Sequence, residues 1–196
     1  MDAPRTSRGF TEHERARAAD LYWEAFSRKL RPALVDDATG LALVRTALSP
    51  DRVLVARAGG SVVGICGFYE GNKGAVDLTW AGLRGRLSAA ASVRALLLLA
   101  PLSRRAQRDA LVLDGICVDP ALRGRGIGSA LLEAATDHAR SRGARAVRLS
   151  VVDTNPRARA LYDRLGFEPA GSGSLGPFGA VYGFSGYTVM ERAVAR

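Results

Sequence analysis

Residues 111–133 pass from an apolar run, through Asp119-Pro120, into a loop of alternating glycines and arginines, and then into helical periodicity. The run Leu111-Val112-Leu113-Asp114-Gly115-Ile116-Cys117-Val118 reads as a buried strand, apolar and rich in β-branched residues. Asp119-Pro120 ends it, because proline has no N–H to give to a ladder. Gly124, Gly126 and Gly128 alternate with Arg123 and Arg125, and a helix is expected from Ile127 to about Arg142-Gly143. Strand, glycine loop and helix in that order make a phosphate-binding arrangement. The glycines let backbone approach a ligand closely, and the first N–H groups of the helix point at its oxygens. The helix dipole and the two arginines add positive charge at the same place. No Gly-Lys-Ser/Thr follows, so this is not a P-loop, and Gly-x-Gly-x-Gly is not the dinucleotide spacing. Taken alone, the loop also fits a tight strand-to-helix turn with its arginines in solvent.

A second strand, Ala146–Val152, is expected parallel to the first through the helical crossover. Asn155 then caps a helix with Pro156 at its first position, Ala158, Leu161, Tyr162 and Leu165 share one face, and Gly166 stops it. Arg123-Gly124-Arg125-Gly126-Ile127-Gly128 resembles the Arg/Gln-x-x-Gly-x-Gly/Ala acetyl-coenzyme A loop of the GCN5-related N-acetyltransferases (GNAT). Val118-Asp119-Pro120 lies where that family usually has Val-x-Pro. Asn155-Pro156-Arg157-Ala158-Arg159-Ala160-Leu161-Tyr162-Asp163-Arg164-Leu165-Gly166-Phe167 is similar to the family's second signature, Asn-x-x-Ala-x-x-Leu-Tyr-x-x-x-Gly-Phe. The close resemblance covers residues 111–170; elsewhere only the general layout matches.

The resemblance implies an α/β GNAT fold: a mixed central sheet with splayed parallel central strands and flanking helices. It implies transfer of an acetyl group from acetyl-CoA to a primary amine, by direct attack in a ternary complex. Three physical problems then distribute the residues. The donor must be held: Arg123, Gly124, Arg125, Gly126, Ile127, Gly128 and Ser129 would take the pyrophosphate. The edge of Ile116, Cys117 and Val118 would pair with the pantetheine amides like an added strand, with Asn155 and Ala158 beside the arm. The carbonyl gains negative charge, for which a backbone N–H near Val118 is the natural donor. Protons must also move, since an alkyl amine with a pKa of about 10.4 is almost wholly protonated at pH 7. Tyr162 matches the family's tyrosine that gives a proton to the departing sulfur. Asp114 and Glu70 are the candidate bases, each able to act through a water; Asp114 also fits a bracing role. Cys117 reads as a strand thiol rather than a nucleophile.

At 196 residues the chain suits one domain, an N-acetyltransferase domain over 1–196, and a hydrophobic fraction of 47% is globular. The greasy stretch Leu87–Leu102 is too short, and too interrupted by Arg94, to span a bilayer. Met1-Asp2-Ala3-Pro4-Arg5 lacks the apolar core of a signal peptide, so a cytoplasmic protein is expected, with no membrane partner. Cys66 and Cys117 then read as thiols, not a disulfide. His13 and His138 stand alone, so no metal is expected, and His138 reads as a packing residue. The net charge of +9 suits anionic partners, yet Lys29 and Lys73 are the only lysines and no basic run is interleaved with aromatics. A nucleic-acid-binding module is therefore a weaker alternative than an acyl-CoA sensor of the same fold.

Along the rest of the chain, residues 1–10 read as a mobile tail. Thr11-Glu12-His13-Glu14 is a capping box for a helix to Leu30, whose Tyr22, Trp23, Phe26 and Leu30 belong to the core or to an acceptor pocket. A second helix is expected over Asp37–Leu48. A hairpin turning at Gly59-Gly60 follows, with bulges at Gly64 and Gly67, and then a weak third strand at Ala75–Leu78. Residues 79–108 depart from the family layout as a helical insert before the central strand, with helices at Ala89–Leu99 and Ser103–Asp109. The insert suits either a cover over the acceptor side or a subunit contact through Leu96–Leu99, leaving a monomer or homodimer. Gly171–Gly186 reads as loop and Tyr187–Glu191 as the last strand. The acceptor is left open: an antibiotic, a polyamine, an amino acid or a protein amine.

Overall fold

The computed structural model describes residues 4–102, 107–176 and 179–195. Seven strands form one mixed sheet: β1 (Arg5–Arg8), β2 (Val53–Ala58), β3 (Ser61–Phe68), β4 (Ala110–Val118), β5 (Ala146–Val152), β6 (Glu168–Ser174) and β7 (Gly186–Ala193). Their spatial order is β1-β2-β3-β4-β5-β7-β6, and among the described residues β4–β5 is the one parallel pair. Alternation along β2 explains how this sheet carries a core on each face. Val53 and Val55 join α1 (Arg15–Leu30) and α2 (Asp37–Ala47) in one cluster, while Leu54 and Ala56 join α5 (Ile127–Ser141) in the other. On the first side the α1 indole of Trp23 covers Gly40 of α2, where an added Cβ would stand 2.1 Å from the ring. Among the described residues no helix is long and apolar enough to cross a membrane.

The hairpin turns at Gly59-Gly60, both glycines at positive φ (56° and 78°), as a primed turn requires. Both expected bulges form: the register shifts at Gly67/Phe68 against β4, and beside Gly64 against β2, where Ala56 pairs with Gly64 but Arg57 with Val62. Gly64 also saves space: a Cβ there would press on Ile127 Cγ2 and the Cys117 carbonyl at 3.0 Å, so it lets α5 sit close on the sheet.

Several expectations need correction. The segment read as a mobile tail contains β1, whose Arg5–Arg8 pair antiparallel with Leu54–Arg57; residues 1–3 lie outside the described residues. Ala75–Leu78 forms no strand, only a single bridge between Leu48 and Val76. The glycine-rich segment read as loop includes most of β6, which pairs with β7, and the short helix α7 (Gly179–Tyr182). Small residues sit easily on that exposed outer strand and leave no apolar alternation to read. Within the insert, α3 (Trp80–Arg84) and α4 (Ala89–Leu99) form as helices. The expected helix at Ser103–Asp109 falls partly outside the described residues, and residues 107–109 are not helical. On α5 the polar Thr136 is buried and gives its hydroxyl to the Leu132 carbonyl at 2.9 Å.

The start of α1 is tied to the sheet by charge. Arg57 Nε and Nη2 donate to the two Glu14 carboxylate oxygens at 2.6 and 2.9 Å, and the Thr11 N–H donates to the same carboxylate at 2.8 Å. Arg57, foremost, and then Thr11 hold the Glu14 carboxyl down at about 2, against an opposing effect of burial. A carboxyl with a depressed folded-state pKa stabilises the fold above its unfolded pKa and loses that contribution as pH falls through the folded value. Stability should therefore fall between about pH 4.5 and pH 2 by about 1–2 kcal/mol from this group. Denaturant titrations across that range should show Glu14→Gln less stable at neutral pH and flatter in acid. Parallel pH profiles for the two proteins would refute the assignment.

Candidate functional site

The two parallel strands part almost as soon as they meet. β4 and β5 pair only over Ala110–Val112 with Ala146–Arg148. Beyond that, β4 stays bonded to β3 on its outer side and β5 to β7, so their facing edges diverge. The cause lies in β4 itself. Phe68 pairs with Leu113 and Gly67 with Gly115, leaving Asp114 as an extra residue that bends the strand. A wedge opens between Ile116-Cys117-Val118 on one side and the end of β5 on the other.

A cavity of about 790 Å³ fills the wide end of this wedge, lined by Ile116, Cys117, Val118, the glycine loop, Asn155 and Ala158. That volume is in the range of small-ligand sites. Gly126 is the N-cap of α5 in the left-handed region (φ 79°), and no side chain caps the helix there. The Ala130 N–H is already bonded back to the Gly126 carbonyl. The N–H groups of Ile127, Gly128 and Ser129 precede it and have no partner within the helix, while their residues line the cavity. This end of α5 offers donors and positive dipole to an anion. Arg123 also lines the cavity, its Nε donating to the Val118 carbonyl at 3.3 Å. Arg125 is exposed and lies off the cavity wall. Gly128 matters for space: a Cβ would meet Leu161 Cδ2 at 3.1 Å, where α5 lies against α6 (Pro156–Arg164).

Asn155 caps α6, its Oδ1 accepting from the Ala158 N–H at 3.1 Å. Tyr162 stands one residue beyond Leu161, which lines the cavity, and is itself buried with its ring 5.9 Å from Phe167. Its hydroxyl makes no hydrogen bond among the described residues. Burial, foremost, and then Cys66 and Cys117 push its pKa well up, so it stays a neutral donor. Burial likewise pushes the Cys66 thiol to about 12 and raises Cys117, which leaves both as poor nucleophiles.

A second cavity, about 430 Å³, holds Asp114 and shares Phe26, Lys29, Val152 and Phe184 with the first as a common wall. Asp114 Oδ2 accepts from the Ala75 N–H at 3.0 Å and from the Tyr22 hydroxyl at 3.4 Å. Tyr22 is pushed well up by burial and then by Asp114, which keeps its proton in place. Phe26 reaches the centre because β4 has a glycine there; a Cβ on Gly115 would stand 2.1 Å from the ring. Tyr22, Phe26 and Leu30 thus line this cavity, while Trp23 does not. The insert closes one side with Pro101 and Leu102, and the Leu98 carbonyl accepts from the Tyr182 hydroxyl.

Glu70, the other candidate base, is not in this site. Its carboxylate is held by Arg142 at 2.5 Å and Arg8 at 3.5 Å, and it lines neither cavity. The hairpin end carries it to the far end of α5. His138 packs nearby, its ring 4.7 Å from Phe68, in the packing role expected of it. Lys29, Gln107, Arg148, Phe184 and Tyr187 line the smaller cavity without having been singled out in sequence. Arg148 alone carried a signal, as a charge inside the apolar run Ala146–Val152.

The acetyltransferase (GNAT) family model matches residues 15–167. Mycothiol acetyltransferase from Beutenbergia cavernae is 52% identical over 52 residues, 26% of this chain and 18% of that protein. The matched stretches span only 18–36% of the length of the curated relatives. Among solved structures, an N-acetyltransferase from Staphylococcus aureus Mu50 superposes with a TM-score of 0.69 at 20% identity, covering 96% of this chain and all of that one. The Salmonella typhimurium protein yncA, solved with its cofactor acetyl-CoA, gives 0.56 at 18% identity over 100% of this chain and 96% of that one.

Proposed function

Because the chain belongs to the GNAT acetyltransferase family, we propose that it moves an acetyl group from acetyl-CoA to a primary amine, both held at once in the joined cavities. The observation that carries this reading is the wedge between β4 and β5, which runs from the uncapped N-terminus of α5 to Asp114. The residues present fit the donor. The N–H groups of Ile127–Ser129, with Arg123, would take the diphosphate, and the free edge of Ile116–Val118 would pair with the pantetheine amides. The bound thioester supplies the activated acetyl carbon.

Asp114 would accept the proton from the incoming ammonium, directly or through a water. A backbone N–H at the Val118 end of β4 would steady the carbonyl oxygen as charge develops. The N–C bond forms as the C–S bond breaks; nitrogen loses two protons in all, one through Asp114 to solvent and one that balances the proton Tyr162 would give to sulfur. Holding both reactants across a shared wall replaces an encounter in solution, and needs no covalent role for Cys117. One N-acetyltransferase domain over residues 1–196, acting in the cytoplasm where Cys66 and Cys117 stay reduced, belongs to the same reading.

Calorimetry should show acetyl-CoA and its free thiol binding to the folded protein, and an amine panel should release thiol from acetyl-CoA. Tyr162→Phe should lower kcat by about tenfold to hundredfold with little change in donor affinity. A protein that binds acetyl-CoA but turns over none of the panel, with or without Tyr162, would be a sensor instead.

A further inference from the structure

Resting on that reading, we infer that the acceptor is an amine that also carries a carboxylate, its ammonium end at Asp114 and its carboxylate end at Arg148. The smaller cavity has three charged side chains on its wall: Asp114, Arg148 and Lys29. One anion against two cations suits a zwitterion and opposes a polycation, whose several ammonium groups would need several carboxylates. The two principal charges are fixed by the sheet. Arg148 faces Val112 in the last paired register of β4 and β5, and Asp114 lies two residues farther along β4, where the strands have parted. Both therefore line the one small cavity, two positions apart along the parting strands.

Arg148 is unusual for its strand. Its neighbours Val147 and Leu149 are buried, and its own Nε is buried without a hydrogen bond among the described residues. Its Nη1 donates to Gln107 Oε1 at 2.8 Å, which orients the guanidinium beside the cavity. The nearest carboxylate, Glu191, pairs across the β5–β7 register but stands 3.6 Å from Nε, lies off the cavity wall and is 40% exposed. A planar guanidinium whose buried Nε is ion-paired to Glu191 at 3.6 Å but makes no hydrogen bond is matched by a carboxylate, which takes two parallel N–H bonds. Lys29 adds positive charge at the wall common to both cavities, lying over the Phe26 and Phe184 rings at 5.7 and 5.2 Å. Those rings and Tyr187 add apolar wall to the cavity.

The test uses the full chain at saturating acetyl-CoA and follows thiol release. Matched acceptors are compared: α-, β- and γ-amino acids, their carboxamides, the amines lacking the carboxylate altogether, and spermidine. The amino acid of at least one matched set should exceed its carboxamide by about tenfold to hundredfold in kcat/KM. Arg148→Gln should erase that preference mainly through KM, and Arg148→Lys should restore part of it. Equal or better rates with carboxamides, plain amines or spermidine would overturn the inference, as would a preference that survives Arg148→Gln. The wild-type comparison decides the matter even if the variants fold poorly. Failure to bind acetyl-CoA would instead remove the acetyltransferase reading itself, whereas binding and turnover without carboxylate preference removes only this inference.

Discussion

Asp114→Asn is expected to lower kcat by about a hundredfold to ten-thousandfold while leaving acetyl-CoA affinity near the wild-type value. The substitution keeps the shape and one accepting oxygen, so the amide can still take the Ala75 N–H and the Tyr22 hydroxyl that now meet Oδ2. What it removes is the ability to take a proton from an ammonium ion. Tyr22 cannot replace it, because burial and Asp114 keep the phenol protonated. Steady-state kinetics at saturating donor, with calorimetry for donor affinity, separates this from a folding defect. Glu70→Gln is the matching control: Glu70 is held by Arg142 and Arg8 and lines neither cavity, so kcat should not change. An unimpaired Asp114→Asn enzyme would leave the proton to bulk water and end this role for Asp114.

The two carboxylates also mark where sequence stops being informative. Nothing in local pattern separates Asp114 from Glu70; both lie at strand ends or irregularities near glycines. Only the register shift at Gly67/Phe68 turns one toward the wedge, and only the length of the hairpin carries the other to α5. The strand, glycine loop and helix of residues 111–133 were legible because their chemistry is local: a continuous apolar run, closely spaced glycines and a helical period. The widening between β4 and β5 was legible only through the family resemblance. β1 and β6 were missed for a physical reason. They are outer strands, largely exposed along both faces, so they lack the buried alternation that betrays a strand. Tyr22 and Phe26 showed helical spacing, which a core residue and a cavity wall share. Arg148 is the opposite case: its charge contradicts its strand, and such local conflicts are where function tends to sit.

Gly126→Val should weaken acetyl-CoA binding by about tenfold to hundredfold, the cost of misplacing one or two hydrogen bonds to a charged ligand. Gly126 holds φ at 79° as the N-cap of α5, a conformation that costs an L-residue about 1–2 kcal/mol. A β-branched side chain there strains the turn that aims the Ile127, Gly128 and Ser129 N–H groups, and stands on the cavity wall itself. Loss of stability alone could mimic this result, and α5 supplies its own control. Gly143, just past the other end of the helix, is also left-handed (φ 70°), and a Cβ on either glycine meets nothing within 4 Å. Fifteen residues of helix put it about 22 Å from Gly126. Gly143→Val should therefore lower the unfolding midpoint by a similar amount yet bind acetyl-CoA like the wild type. If the two variants lost affinity equally, donor binding would track general stability rather than the geometry of the helix start, and the phosphate cradle would have to be sought elsewhere.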